Sequence, residues 1–134
     1  MNGFINDENE LAHAIIGIAI DIHKTLGPGL EKDTYLECLM YELNQQNYRI
    51  ERDVKRDLFY KNIKLGQDIH IDLLVNDILV VEIETVETVS ELEIQKLLKI
   101  LKNGNHKLGL VINFNSTLLK NGIRRVSNTI QIEN

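Results

Sequence analysis

The chain has 134 residues, of which 43% are hydrophobic, and a formal net charge of -5 at neutral pH. This length is typical of a single domain, here residues 1–134, with a sizeable hydrophobic core. The acidic balance argues against broad, non-specific coating of nucleic acid, but it leaves room for a local basic groove.

The cysteine content and the start of the chain bear on the cellular compartment. Cys38 is the single cysteine and cannot form a disulfide within the chain, which favours a reducing environment. The chain does not start with the basic and then apolar pattern of a signal peptide. Its longest early apolar run, residues 14–22, is too short to cross a membrane. We therefore expect a cytoplasmic protein with no membrane partner.

The first third of the chain predicts two helices. Asn6 or Asp7 can cap the first helix, and apolar residues then recur at helical spacing up to a Gly-Pro-Gly turn at residues 27–29. A second helix is expected from residue 33 or 34 to about residue 47.

The middle of the chain has the patterns of β-strands, either alternating or continuously apolar. The predicted strand segments are residues 48–51, 54–60, 63–65, 69–74 and 78–83. Lys61-Asn62 suits the turn of a hairpin, and the nearly all-apolar last segment is typical of a central strand buried on both faces.

The last third predicts a helix followed by strands. Ser90 and Glu93 have the spacing of a capping box, and the helix is expected to end at Gly104. Residues 108–114 form another predicted buried strand, and residues 123–126 a final edge strand. The order is therefore helix, helix, several strands, helix and strand.

Three carboxylates on the central strands form the candidate site. Asp72 interrupts one apolar strand, and Glu82 and Glu84 lie on one face of the next. A tight hairpin would bring Asp72 beside Glu82, where like charges repel each other unless a cation lies between them. Carboxylate oxygens in such a position suit Mg²⁺ or Mn²⁺, and the matching chemistry is hydrolysis of phosphodiester bonds.

Basic residues near this cluster are candidates for contact with nucleic acid. Lys96 and Lys99 lie one helical turn apart on the third helix, and His70 lies two residues before Asp72 on the same strand face. If these residues line the mouth of the site, they would bind phosphates without reading bases. An ordinary solvated helix face is the alternative for each lysine.

A series of ordered motifs carries a family resemblance over most of the chain. The motifs are residues 22–30, Tyr35, and residues 41–43, 60–66, 72–75, 81–82, 93–95 and 108–115. Together they resemble the GxxExxY proteins, a branch of the PD-(D/E)xK nuclease superfamily. The resemblance implies an α/β (α+β-like) fold with a PD-(D/E)xK nuclease-like core, in which helices flank a mixed central sheet. It also implies Mg²⁺ between Asp72 and Glu82, and it places Gln95 at the edge of the site, where it would orient a ligand or water.

Two positions depart from the family pattern with opposite changes of charge. Gly29 and Tyr35 have the spacing of the signature, but Lys32 stands where the signature has glutamate. Glu84 stands where the superfamily motif has lysine. The two changes compensate each other if these side chains face each other across the site. Glu84 would then act as general base or metal ligand, and Lys32 or Lys96 would stabilise phosphate charge.

Two functional interpretations stay open. The first is a Mg²⁺- or Mn²⁺-dependent nuclease. Its metal ligands would be Asp72, Glu82 and Glu84, and its catalytic set would add Gln95 and Lys32. The second is a catalytically silent domain that binds nucleic acid or a partner protein, or assembles as a homo-oligomer, which the missing lysine at position 84 favours.

Overall fold

Five strands form one mixed sheet in the computed structural model, which describes residues 7–128. The helices are α1 (Glu8–Leu26), α2 (Lys32–Gln45) and α3 (Glu91–Gly104). The strands are β1 (Ile50–Tyr60), β2 (Ile63–Val75), β3 (Leu79–Glu84), β4 (Leu108–Asn113) and β5 (Ile123–Ser127), with a short 3-10 helix, Leu119–Gly122, before β5. The strands follow chain order across the sheet, and β3 and β4 are parallel while the other neighbours are antiparallel. The predicted α/β fold with a mixed sheet is thereby confirmed.

Helices cover both faces of the sheet. In β4, Leu110 and Ile112 pack in a cluster with α1 and α2, whereas Val111 packs in a cluster with α3. Because successive side chains of a strand point to opposite faces, the two clusters lie on opposite sides of the sheet. This double coverage explains why β3 is apolar apart from Glu82 and Glu84, and why β4 has no charged residue.

Local capping determines where the helices begin. Asp7 caps α1, because its carboxylate accepts hydrogen bonds from the backbone N–H groups of Asn9 and Glu10; the other candidate cap, Asn6, lies outside the described residues. Ser90 and Glu93 form the predicted capping box of α3. The second helix begins at Lys32, earlier than predicted, so this lysine lies in its first turn.

β1 and β2 form one long hairpin, so the prediction of shorter, separate strands was wrong. The ladder continues through the polar residues, with Arg52 paired to Leu73 and Val54 paired to Ile71. Asp53 stays within β1 despite a left-handed backbone, with a φ of 54°. Hydrogen bonds to the neighbouring strand keep these residues extended, although their sequence lacks the alternation of apolar and polar residues that predicts a strand.

We find no helix within residues 7–128 that is long and apolar enough to cross a lipid bilayer.

Candidate active site

β2 and β3 separate at the predicted site, and carboxylates fill the gap between them. The antiparallel pairing of these strands ends at Leu73 and Val81. Beyond it, the backbone N–H of Asp72 donates to Glu82 Oε2 at 2.7 Å, and the backbone N–H of Ile83 donates to Asp72 Oδ2 at 3.0 Å. The two side chains therefore take the place of ladder hydrogen bonds, and each satisfies a backbone N–H group that would otherwise lack a partner.

Lys32 provides positive charge beside these carboxylates. Its Nζ lies 2.9 Å from Oδ2 of Asp72, a residue that is only 2% exposed. Partial burial opposes the charged form of Lys32, but the hydrogen bond to Asp72 and the charges of Asp72, Glu84 and Glu82 outweigh it, so the pKa of Lys32 is raised. The first turn of α2 thus brings a cation to all three predicted carboxylates.

Glu82 carries the largest perturbation in the site. Burial, and then the charge of Asp72, raises the pKa of Glu82 to about 8, although the backbone N–H of Asp72 and the charge of Lys32 act in the opposite direction. A carboxyl with this pKa is mostly protonated at neutral pH, since Lys32 alone does not balance the acidic groups around it. The site therefore favours a further positive charge.

Glu84 connects the carboxylate pair to the start of α3. Burial, followed by the charge of Glu93 and a hydrogen bond between the two side chains, raises the pKa of Glu84, against the opposing charge of Lys32. From the sequence, Glu93 was expected to serve as a capping residue, and its side chain does accept a hydrogen bond from the backbone N–H of Ser90 at 3.1 Å. The side chain of Glu93 also contacts Glu84. This contact depends on how the loop after β3 folds back, so the sequence around Glu93 does not indicate it.

His70 lies on the face of Asp72, as its position on the strand predicts. Its Nδ1 is 3.7 Å from Asp72 Oδ1, and its Nε2 is 3.1 Å from Asp53 Oδ1. Asp53 in turn lies 3.3 Å from Nε of Arg52. Sequence reasoning missed Asp53, because its place beside His70 follows from the register of a hairpin that had been split into shorter strands.

The residues predicted on α3 lie at its surface. The amide of Gln95 donates to Glu91 Oε1 at 3.2 Å, and Lys96 and Lys99 are exposed. Gln95 lies two residues before the buried Leu97, and a helix turns by about 200° over that step. The functional roles of these three residues stay predictions.

A divalent cation fits the pair formed by Asp72 and Glu82. Within residues 7–128 no three His, Cys, Asp or Glu side chains are grouped so as to hold a metal on their own. Mg²⁺ commonly takes one or two protein carboxylates and completes its shell with water and phosphate oxygens. The adjacent carboxylates and the raised pKa of Glu82 therefore suit Mg²⁺ or Mn²⁺ bound together with an anionic substrate.

Tyr35 holds the loop that leads into Lys32. Its hydroxyl donates to the carbonyl of Gly27 at 2.6 Å and accepts from the backbone N–H of Leu30 at 3.1 Å. Its ring stacks on Phe114 with 4.4 Å between ring centroids. A residue whose side chain is fully buried thus ties the turn after α1 to the start of α2.

Replacing Tyr35 with phenylalanine should lower the free energy of unfolding by about 1–2 kcal/mol, because two backbone groups lose their partner while the ring stays in place. Urea denaturation measures this change. The control is Tyr41→Phe, since Tyr41 is 61% exposed and its substitution should leave stability unaltered. Equal stability of Tyr35→Phe and the unmodified protein would show that the hydroxyl does not hold the turn.

A match to a protein-family model covers nearly the whole chain. Residues 9–126 match the model of a family described as the PD-(D/E)XK nuclease superfamily. No curated protein and no solved structure gives a match. The matched range contains all the site residues described above, but it does not single out the GxxExxY branch, which stays a prediction.

Proposed function

Because this chain belongs to the PD-(D/E)XK nuclease superfamily, we propose that it is a metal-dependent nuclease that hydrolyses phosphodiester bonds of nucleic acid. The observation that carries the proposal is the ion pair between Lys32 and Asp72, next to Glu82 and Glu84. Through Lys32, α2 supplies the positive charge that position 84 lacks. The two departures from the family pattern then balance each other within one site.

Each side chain has a separate role in this proposal. Asp72 and Glu82 would hold Mg²⁺ or Mn²⁺, which polarises a phosphoryl oxygen and lowers the pKa of a bound water. The side chain of Lys32 is 40% exposed, so its ammonium can contact a phosphate and stabilise the charge that develops there. The raised pKa of Glu84 makes it a stronger base than an ordinary carboxylate, suited to accept a proton from the attacking water.

Replacing Asp72 with asparagine should lower cleavage on the order of a hundred- to a thousandfold, because a ligand charge is lost while the side-chain shape stays. The measurement is cleavage of labelled single- and double-stranded DNA and RNA with Mg²⁺ or Mn²⁺. Asp77→Asn is the matched control, since Asp77 is exposed in the β2–β3 turn and its left-handed backbone, with a φ of 62°, suits asparagine. Cleavage by Asp72→Asn at the unmodified rate would contradict the assignment.

A second candidate function rests on the same ion pair. Lys32 already neutralises part of the acidic cluster, as a permanent internal counter-ion would in a domain that no longer binds metal. Such a domain would bind nucleic acid or a partner protein, or assemble with copies of itself, without cutting. Absence of cleavage by folded protein, across all four substrates and both metals, would favour this candidate.

A further inference from the structure

The outer part of the β1–β2 hairpin extends beyond the rest of the sheet. β2 pairs with β3 from Val75 to Leu73, whereas its pairing with β1 continues outward as far as Ile63. From Asp72 to Ile63 the strand covers about 30 Å at about 3.3 Å per residue. We call residues 55–70 the arm; all side chains from residue 59 to residue 68 are exposed.

The end of the arm combines exposed apolar side chains with lysines. Phe59, Tyr60 and Ile63 are 53%, 59% and 62% exposed. Lys61 and Lys64 lie among them, and residues 59–65 contain no acidic side chain, although Lys64 forms an exposed ion pair with Asp57 at 3.4 Å. Exposed apolar residues grouped this closely mark a contact surface, and the lysines indicate a partner with negative charge.

The charge of the arm differs from that of the whole chain. Its basic residues outnumber its acidic ones: Lys55, Arg56, Lys61 and Lys64 against Asp57 and Asp68. The entire chain has a formal net charge of -5. A positive projection on an acidic protein is complementary to a polyanion, whereas a dimer that paired two arms would bring like charges together.

The register aligns the arm with the candidate active site. Lys55 pairs with His70, and His70 lies 3.7 Å from Asp72. Further outward Phe59 pairs with Lys64. A partner that contacts both the carboxylates and the end of the arm must therefore extend along the hairpin for about 30 Å, which corresponds to about nine base pairs at 3.4 Å per step.

We propose that the arm is a DNA-binding element that lies against the duplex beside the bond to be cut. This proposal rests on the proposed function, because it takes nucleic acid as the substrate. Lys61 and Lys64 would contact phosphates, while Phe59 or Tyr60, which lie on opposite faces of the hairpin, enters the groove. The major groove of B-form DNA is about 12 Å wide and admits a two-stranded ribbon, whereas the major groove of A-form RNA is deep and narrow.

Binding without cleavage tests the arm separately from catalysis. The full chain is titrated onto a fluorescein-labelled DNA duplex of about 30 base pairs in EDTA, and anisotropy is measured at several salt concentrations. Lys61→Gln with Lys64→Gln should weaken binding roughly tenfold and lower the slope of log K against log salt by about two. Phe59→Ser with Tyr60→Ser should weaken binding about fivefold while the salt slope stays, since stacking and groove contacts are not ionic.

Lys107→Gln with Lys120→Gln is the matched control, because both lysines are exposed and lie outside the arm. Its affinity should stay within about twofold of the unmodified protein. The proposal would be overturned if both double lysine variants lost the same amount of affinity. Absence of DNA binding at low salt, or equal affinity for duplex RNA, would also overturn it. So would a dimer that Phe59→Ser with Tyr60→Ser converts to monomer, because the arm would then serve self-association. DNA binding without cleavage in Mg²⁺ or Mn²⁺ would contradict only the nuclease proposal.

Discussion

Replacing Lys32 with glutamate should abolish cleavage, and adding Glu84→Lys to the same chain should restore part of it. The single variant puts another carboxylate beside Asp72, where the ammonium now lies 2.9 Å away. We expect the cleavage rate to fall on the order of a hundred- to a thousandfold, as it does when a charge-stabilising donor is lost. The double variant returns a lysine to the site from β3, in the usual superfamily arrangement. Its cleavage rate should be at least about tenfold higher than that of the single variant.

Single-turnover experiments measure the rate of the cleavage step separately from substrate binding. Urea denaturation measures how much each variant lowers the free energy of unfolding. Lys32→Glu should also lose about 1–3 kcal/mol of stability, a loss limited by the exposure of the side chain to solvent. Lys107→Glu, an equal charge reversal on an exposed residue, should change neither quantity. Cleavage by Lys32→Glu at the unmodified rate would show that Lys32 does not stabilise the reacting phosphate. A double variant no better than the single one would refute the compensation between the two positions.

Replacing Glu82 with glutamine should make the folded protein more stable at about pH 8, but not at about pH 5. The pKa of Glu82 is about 8 in the fold, compared with an ordinary value of 4.5. Between these values the native state keeps a proton that the unfolded chain has released, so stability falls as the pH rises through this range. Glutamine is neutral throughout, and the gain at the higher pH should be on the order of 2–4 kcal/mol.

Urea denaturation at the two pH values measures this difference, with equal m-values as the check for a two-state transition. Glu87→Gln is the control, since Glu87 is exposed and follows the same strand. Mg²⁺ should reduce the difference in stability between Glu82→Gln and the unmodified protein at about pH 8, because a cation beside Asp72 and Glu82 favours the ionised carboxyl. Loss of stability in Glu82→Gln at both pH values would show that the hydrogen bond from the backbone N–H of Asp72 outweighs the cost of the buried charge.

The parts of this structure that were predictable from sequence have local causes. Ser90 and Glu93 form their capping box within one turn of helix. Asp72 and Glu82 meet because a three-residue turn, Asn76 to Ile78, joins their strands, which leaves little freedom in the pairing. The starts of α1 and α3 and the central carboxylate pair could therefore be derived from short stretches of sequence.

The parts that were not predictable depend on packing between distant segments. The contact of Lys32 with Asp72 requires α2 to dock beside the sheet, and short-range spacing does not encode that distance. Asp53 reaches His70 only through the full register of the β1–β2 hairpin. The exposure of Gln95 was not evident from the sequence, because leucines on several sides of the third helix obscure which stripe faces the sheet.

The position of the two carboxylates between β2 and β3 limits which substitutions can accumulate in evolution after activity is lost. Asp72 and Glu82 each satisfy a backbone N–H where the strands part, so an apolar replacement would leave a buried amide without a partner. Folding alone then preserves a hydrogen-bond acceptor at both positions, which an amide side chain supplies as well as an acid, even in a descendant that cuts nothing. Lys32 makes no such backbone bond through its side chain. Its contact is the ion pair with Asp72, so its charge is needed only while the acids are ionised. In relatives of this chain, acids rather than amides at positions 72 and 82, together with a basic residue at position 32 or 84, are therefore the sign of a working enzyme.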